Sequence, residues 1–437
     1  MPATSMNGDS HSRSGSRLKW CHWSTAGGWG YAYFPYVSRL VRNVDLPTLS
    51  HTGRFHRSWG DFGGIKPDAA LKYECCAVLA QGFTGGVGDQ MLPDGTLDPE
   101  AYRLIGDVYR HIEACEPLVE GARHVREIAV VIDPTRGDDP GPAGLGVVRV
   151  LQELQMQFDL VTADAALDGY RVVVLPEATA LDETLAGALR RFLDAGGGVI
   201  ACLAADATAA SVAALPELGV EIVEPSPFST VYLRPGEVLA EGMPLNDPVL
   251  YRGGPRVRAL PDAKTLCGVV EPYFERRWDH FCSHAQTPPK ALAKFAAVVQ
   301  HRRAITFAFP LFSVYAEHAS LPLRRLFANA LSRLLPDPVV RIQGPAHVEA
   351  VAATRPGVTL VHLLSFLSSR RAPGLDLIED PFPLLATPVT VRCDRRPLRV
   401  YLAPMDKELD WTHQDGQVRT NVNVPDGHTI LIIEHAA

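Results

Sequence analysis

Residues Glu127 to Asp133 read EIAVVID, and this run decides the fold of the middle of the chain. A β-branched stretch with no polar alternation describes a strand buried on both faces, as in a parallel sheet covered by helices. Downstream, Val147 to Gln157 has a helical pattern, and Phe158 to Val161 and Tyr170 to Pro176 (YRVVVLP) read as strands. Leu181 to Ala195 is a helix stopped by Gly196-Gly197-Gly198, and Val199 to Leu203 is the next strand. The alternation predicts a doubly wound α/β domain of flavodoxin or glutaminase type. A Pro- and Arg-bearing excursion follows after about residue 225. The pattern returns at Ala304 to Phe309 and closes with a helix at Leu321 to Leu335.

Upstream, residues 18–122 also alternate strands and helices. Tyr33 to Asn43 is a short helix and Leu46 to Thr52 a strand. Pro67 opens a second helix, Phe83 to Val87 is a brief strand, and Asp98-Pro99-Glu100 starts a helix expected to end before Pro117. Such βα units wind around a parallel sheet. Beyond Pro336-Asp337-Pro338 the pattern is strands only: Val358 to Phe366, Val389 to Cys393, Leu398 to Leu402, Gln417 to Val424 and Thr429 to Glu434. A small antiparallel β-sandwich is expected there.

The richest chemistry lies in Thr52 to Gly64 (TGRFHRSWGDFGG), which sets Trp, Phe, Arg, His and Asp among glycines. Aromatic faces beside hydrogen-bonding groups suit a polar ring-shaped ligand such as a sugar. Gly27-Gly28-Trp29-Gly30-Tyr31 and Asp89-Gln90 occupy equivalent places after neighbouring strands. In a βα barrel, loops at those places share one mouth. Asp61 and Asp89 are the best carboxylate candidates. Glycoside hydrolysis needs two carboxylates, about 5–5.5 Å apart for retention, and a hydroxyl-binding or loop-fixing role for each is the plainer alternative. Tyr273 to Pro288 (YFERRWDHFCSHAQTP) is a second aromatic, histidine-rich segment, read equally well as a solvated loop or as one reaching an active site.

Other patterns are weaker. Gly141-x-x-Gly144-x-Gly146, with Asp164 further on, departs from a dinucleotide fingerprint, and Asp138 and Asp139 would repel a pyrophosphate. Cys202 follows a strand but lacks the small neighbours of a nucleophile elbow. The eight cysteines are scattered without a C-x-x-C, which favours reduced thiols and a cytoplasmic setting. His280, Cys282 and His284 have metal-ligand spacing but no second cluster to complete a set, so neither metal nor cofactor is expected. Net charge is −7 without a basic run, arguing against nucleic acid or an anionic membrane as partner. No apolar run reaches the roughly 20 residues of a membrane span. Residues 1–17 read as a disordered leader without a secretory signal.

GGWGY, TGRFHRSWGDFGG, KYECCAVLAQG, GVGDQ, FERRWDHFCSHAQTP, VHLLSF and GHTILIIE, in that order, resemble bacterial glycoside hydrolases related to α-L-fucosidases. Those enzymes carry a β-galactosidase trimerisation-type domain after the barrel. The resemblance implies a partial (β/α) barrel with the last strands only (18–122), a glutaminase-like domain used in homo-oligomer assembly (123–337) and a sandwich (338–437). It places Trp29, Tyr31, Arg54, His56, Trp59, Asp61, Asp89 and Gln90 on the pocket side. It assigns Phe281 to Thr287, with His284, to a loop approaching a sugar site of its own or a neighbouring subunit. It also implies a carbohydrate substrate and, by the family's habit, a retaining mechanism. A whole barrel takes about 250 residues and eight strands, and the likeness begins near the sixth. The nucleophile-bearing middle strand is therefore expected to be missing, and the acidic residue and proline before GGWGY are replaced by Trp20 to Thr25. An N-terminally truncated hydrolase of low or no activity is the leading expectation. A non-catalytic carbohydrate-binding or oligomerisation subunit is the alternative.

Overall fold

The computed structural model describes residues 30–44, 46–133 and 139–436, with the backbone of residues 19–22. The expected leader, Trp29 and Asp138 lie outside the described residues. Within them the chain is a mixed α/β protein dominated by sheet.

The first part is a three-stranded parallel sheet, Lys19–His22 beside Thr48–Gly53 beside Thr84–Gly88. Helices Tyr33–Val41, Asp68–Ala80 and Pro99–Val119 follow the strands in turn. Asp98 caps the last of these, its carboxylate accepting from the Glu100 and Ala101 amides. This helix passes through Pro117 instead of stopping before it. The proline falls in the final turn, where few hydrogen bonds remain to lose, and buried Ile112 and Cys115 hold the preceding turn to the core.

The middle part is an eleven-stranded sheet. Its parallel half runs in the order Ala304–Phe307, Gly198–Cys202, Val172–Leu175, Ile128–Val131, Phe158–Val161. The EIAVVID strand has the expected burial on both faces, Ile128 to Val131 all being buried. The excursion after residue 225 is not irregular. Val231–Pro235, Lys264–Pro272 and Pro289–His301 extend the same sheet antiparallel. The first half of Pro289–His301 is exposed, so the alternation that marks a strand is faint in the sequence.

Two antiparallel sheets complete the chain. The four-stranded one contains Val340–Ile342, Leu384–Arg392, Gln417–Val424 and Trp411–Gln414. The six-stranded one contains Lys407–Glu408, Pro397–Ala403, His428–His435, Val358–Ser365 and Val348–Arg355, with Arg123–His124 at its edge. Val389, Val391 and Val418 of one meet Val361, Leu363 and Ile433 of the other in a shared core. A larger core runs through all three parts, joining Leu71 and Val78, Val147 and Leu151, and Leu360 and Ile430. Among the described residues no helix is long and apolar enough to cross a membrane.

Buried polar groups stitch the parts together. Arg42 donates to Asp159 at 2.7 Å, to Gln81 at 2.7 Å and to the Phe158 carbonyl at 2.6 Å. Gln157 pairs with the Ala350 carbonyl and the Ala352 amide. Glu127 accepts from the Val339 amide, Arg171 and Arg392, and burial pushes its carboxyl up.

His124 sits in the same seam and donates to the Ala80 carbonyl at 3.0 Å. Burial, with Arg42 nearby, pushes its imidazole down to about 3. Unfolded His titrates near ~6.5, so the unfolded chain binds the extra proton first as pH falls. The stability His124 contributes is therefore complete above pH ~6.5 and is lost progressively toward pH ~3. Thermal melts from pH 7 to 5 should show His124→Gln losing less stability than wild type, by up to about 2 kcal/mol at pH 5. Parallel pH profiles would contradict this reading.

Candidate functional site

Gly85 faces helix Asp68–Ala80, where an added Cβ would meet Val78 at 3.6 Å. The opposite face of the first sheet is lined by His51 and Gly86, and over Gly88 lies the indole of Trp59. A Cβ at Gly88 would come within 2.6 Å of that ring, so glycine is what lets the indole approach the strand this closely. Trp59 also packs edge-on against Phe55 at 5.2 Å, and Phe62 stands behind Phe55 at 6.3 Å. Trp59 and Phe62 nevertheless remain about half exposed. They offer an apolar ledge with water on one side, the surface a sugar ring stacks on.

Next to Phe55 the two strand ends are locked by a buried ion pair. Arg54 Nε donates to Asp89 Oδ1 at 2.8 Å, and the two side chains are only 2% and 6% exposed. Arg54 also donates to the Gly64 carbonyl at 3.2 Å and lies over the Phe55 ring at 4.3 Å. Asp89 Oδ2 is buried without a hydrogen-bond partner, although a carboxylate oxygen can accept two bonds. That oxygen is an unpaired acceptor, covered from solvent by its neighbours. Asp61 is spent differently: its Oδ2 accepts the Arg57 amide at 3.2 Å and shapes the loop.

Sequence reasoning missed what holds this edge in place. Lys66 Nζ donates to Glu74 Oε2 at 2.6 Å and to Thr52 Oγ1 at 2.9 Å, and Thr52 Oγ1 donates to Glu74. Glu74 is fully buried and Lys66 is 3% exposed. The strand, the returning loop and the helix are thus joined through one carboxylate. The only signal was Glu74 standing inside an otherwise apolar helix face, KYECC.

The structure brings Arg54, Trp59, Asp61 and Asp89 together, with half-buried His56 and exposed Gln90 on the same edge. It sets Tyr31 elsewhere, edge-on to Tyr73 at 5.5 Å. Exposed His284 is on the loop between strands Lys264–Pro272 and Pro289–His301 of the middle sheet. There Arg276 donates to the His284 and Ala285 carbonyls and His280 stacks on Phe274 at 3.9 Å. Among the described residues no hydrogen bond or ring contact joins this loop to the Arg54–Asp89 pair. Gly146 has a packing role, since a Cβ there would strike the Phe312 carbonyl at 1.9 Å. Cys202 is a buried thiol, its pKa raised by burial.

The comparisons with known proteins agree with a glycosidase-type fold. A sequence profile of the β-galactosidase trimerisation domain matches residues 149–211. The α-L-fucosidase isoenzyme 2 from Paenibacillus thiaminolyticus superposes with a TM-score of 0.89 at 29% identity, over 96% of this chain and 65% of that one. A β-galactosidase from Bacillus circulans sp. alkalophilus gives 0.62 at 12% identity, covering 92% of this chain and 58% of its own. One from Rahnella sp. R3 gives 0.61 at 16%, covering 92% and 57%. The two galactosidases share the fold alone. No curated protein matches the sequence. The likeness to α-L-fucosidase-related glycoside hydrolases with a β-galactosidase trimerisation-type domain, read from the motifs, is thereby shown. The chain spans 65% of the fucosidase's length.

Removing the cation from the buried triad should be costly. Lys66→Met leaves Glu74 buried and unpaired, an expected loss of about 3–5 kcal/mol. Lys66→Met/Glu74→Leu should recover much of it. Urea denaturation of both variants checks this; a single variant as stable as wild type would remove the triad's structural role.

Proposed function

We propose that this chain carries one wall of a carbohydrate site of the α-L-fucosidase-like glycoside hydrolase type, on the last strands of a (β/α) barrel. The observation that carries the reading is the unpaired Asp89 Oδ2 of the Arg54 ion pair, one residue beyond the Gly88 that the exposed Trp59 covers. A sugar hydroxyl that displaced the cover of that oxygen would find it unpaired, while the indole offers the ring a stacking face. The likeness to the P. thiaminolyticus fucosidase over 96% of the chain supports the same assignment.

On this reading the polypeptide by itself hydrolyses little or nothing. Both candidate carboxylates have structural work, Asp61 in its loop and Asp89 in an ion pair. A retaining mechanism needs one carboxylate as nucleophile and another as acid/base. The sheet described here has three strands, against eight in a whole barrel. The same facts favour a second reading, a non-catalytic carbohydrate-binding or oligomerisation subunit. Residues 123–337 would then assemble copies, with the 273–288 loop at the contact. The exposed Trp278 (95%) and Phe281 (72%) support that role for the loop.

Calorimetry with L-fucose, alongside turnover of aryl α-L-fucosides and β-galactosides, separates these readings. Binding with little or no turnover is expected. Asp89→Asn should weaken binding about 10–100-fold, the loss of a charge-assisted hydrogen bond, in a variant checked for wild-type melting. A normal kcat would overturn the inactive-wall reading, and absent binding would remove the sugar site. For assembly, Trp278→Ala/Phe281→Ala should lower the oligomeric mass seen by light scattering. An unchanged mass excludes the loop from the contact.

A further inference from the structure

Where the helices of the first part meet the last sheet, three ligand-type side chains converge and a fourth, Cys115, adjoins one of them; the site just described uses none of them. Cys76 Sγ, His111 Nε2 and His428 Nδ1 lie within 4.8 Å of one another. Cys115 Sγ is 3.9 Å from His111 Nε2. The donors come from three elements: Cys76 from helix Asp68–Ala80, His111 and Cys115 from helix Pro99–Val119, and His428 from strand His428–His435. His111 and Cys115 are four residues apart, which sets them on one helix face. We propose that Cys76, His111, Cys115 and His428 form a structural zinc site that fastens the two helices to the C-terminal sheet.

The donor chemistry suits zinc, which takes two thiolates and two imidazoles in closed tetrahedral sites. With Zn–N near ~2.0–2.1 Å and Zn–S near ~2.3 Å, ligand atoms stand about 3.3–3.8 Å apart. The His111–His428 nitrogen separation is 2.8 Å, a shared hydrogen bond, so loading the site requires these rings to part by about half an ångström. Each cysteine gives its thiol proton to solvent when it binds.

The outer shell is already in place. His428 Nε2 pairs with His362 Nδ1 at 3.0 Å. With metal on Nδ1, the proton of His428 sits on Nε2 and donates to His362, the arrangement that orients a metal-bound imidazole.

The test uses the purified full chain. Zinc is measured by mass spectrometry after dialysis, and the metal-free protein is titrated with Co²⁺ alone. About one metal per chain is expected, with intense tetrahedral d–d bands and a thiolate-to-cobalt charge-transfer band. Cys115→Ser should abolish the charge-transfer contribution of one thiolate and weaken zinc retention at least tenfold. Cys282→Ser, in the exposed 273–288 loop, should change neither. The proposal is overturned if wild type takes up no metal, if cobalt binds without thiolate charge transfer, or if Cys282→Ser removes the band. Because the cobalt spectrum is read on wild type, a cysteine variant that fails to fold leaves the test decisive.

Discussion

Glu349 accepts the Tyr73 hydroxyl at 2.6 Å on one oxygen and the Gln152 amide at 2.8 Å on the other. Tyr73 belongs to the first part of the chain, Gln152 to the middle and Glu349 to the last. One side chain therefore fixes three bodies against each other, and the remaining seams repeat the device. Arg42 with Asp159, Gln157 with the Ala350–Ala352 backbone, and Glu127 with Arg392 and the Val339 amide each place a hydrogen bond across a boundary. A buried polar group left without its partner costs about 1–3 kcal/mol. The relative placement of the parts is thus specified by hydrogen-bond geometry as well as by apolar area.

That specification matters for the strand ends. The first sheet is covered by helices on one face, while its other face presents His51, Gly86 and the Trp59-covered Gly88. Among the described residues the helix packing lies on one side, so the positions of Arg54 and Asp89 depend on what lies behind them. Behind them is the Thr52–Lys66–Glu74 triad, which ties strand and loop to helix Asp68–Ala80. A ligand-facing edge gains precision from such locked supports, since a loosely held acceptor loses its geometry.

Local pattern carried much of the architecture. The EIAVVID run announced a doubly covered strand, and the βα alternation announced three helices that the structure contains. The alternating Gln417–Val424 strand was legible to the residue. The antiparallel extension was hidden because Pro289–His301 alternates over only part of its length. At the candidate site, the residue types around Arg54 to Asp61 advertised a polar ring ligand. The division of labour between the two aspartates was invisible, because it depends on Arg54 reaching Asp89 across a strand pair. The His111–Cys115 spacing was readable as a shared helix face. Cys76 and His428 join that face only through tertiary packing, so a search for clustered ligands along the sequence turned instead to His280, Cys282 and His284.

Helix Asp68–Ala80 then becomes the element on which site and seam both bear. Consecutive residues on a helix point about 100° apart, and this helix uses that rotation to address different neighbours. Tyr73 reaches Glu349 across the seam, Glu74 reaches Thr52 and Lys66 beneath the strand end, and Cys76 lies beside His111 of the next helix and His428 of the last sheet. Its apolar residues, Leu71 and Val78 among them, are buried as well, so the helix has little room to turn or slide. A one-residue rotation would break the Tyr73, Glu74 and Cys76 contacts together. The strand end that carries Arg54 is therefore tied, through Glu74 and Thr52, to the same helix register that docks the C-terminal sheet.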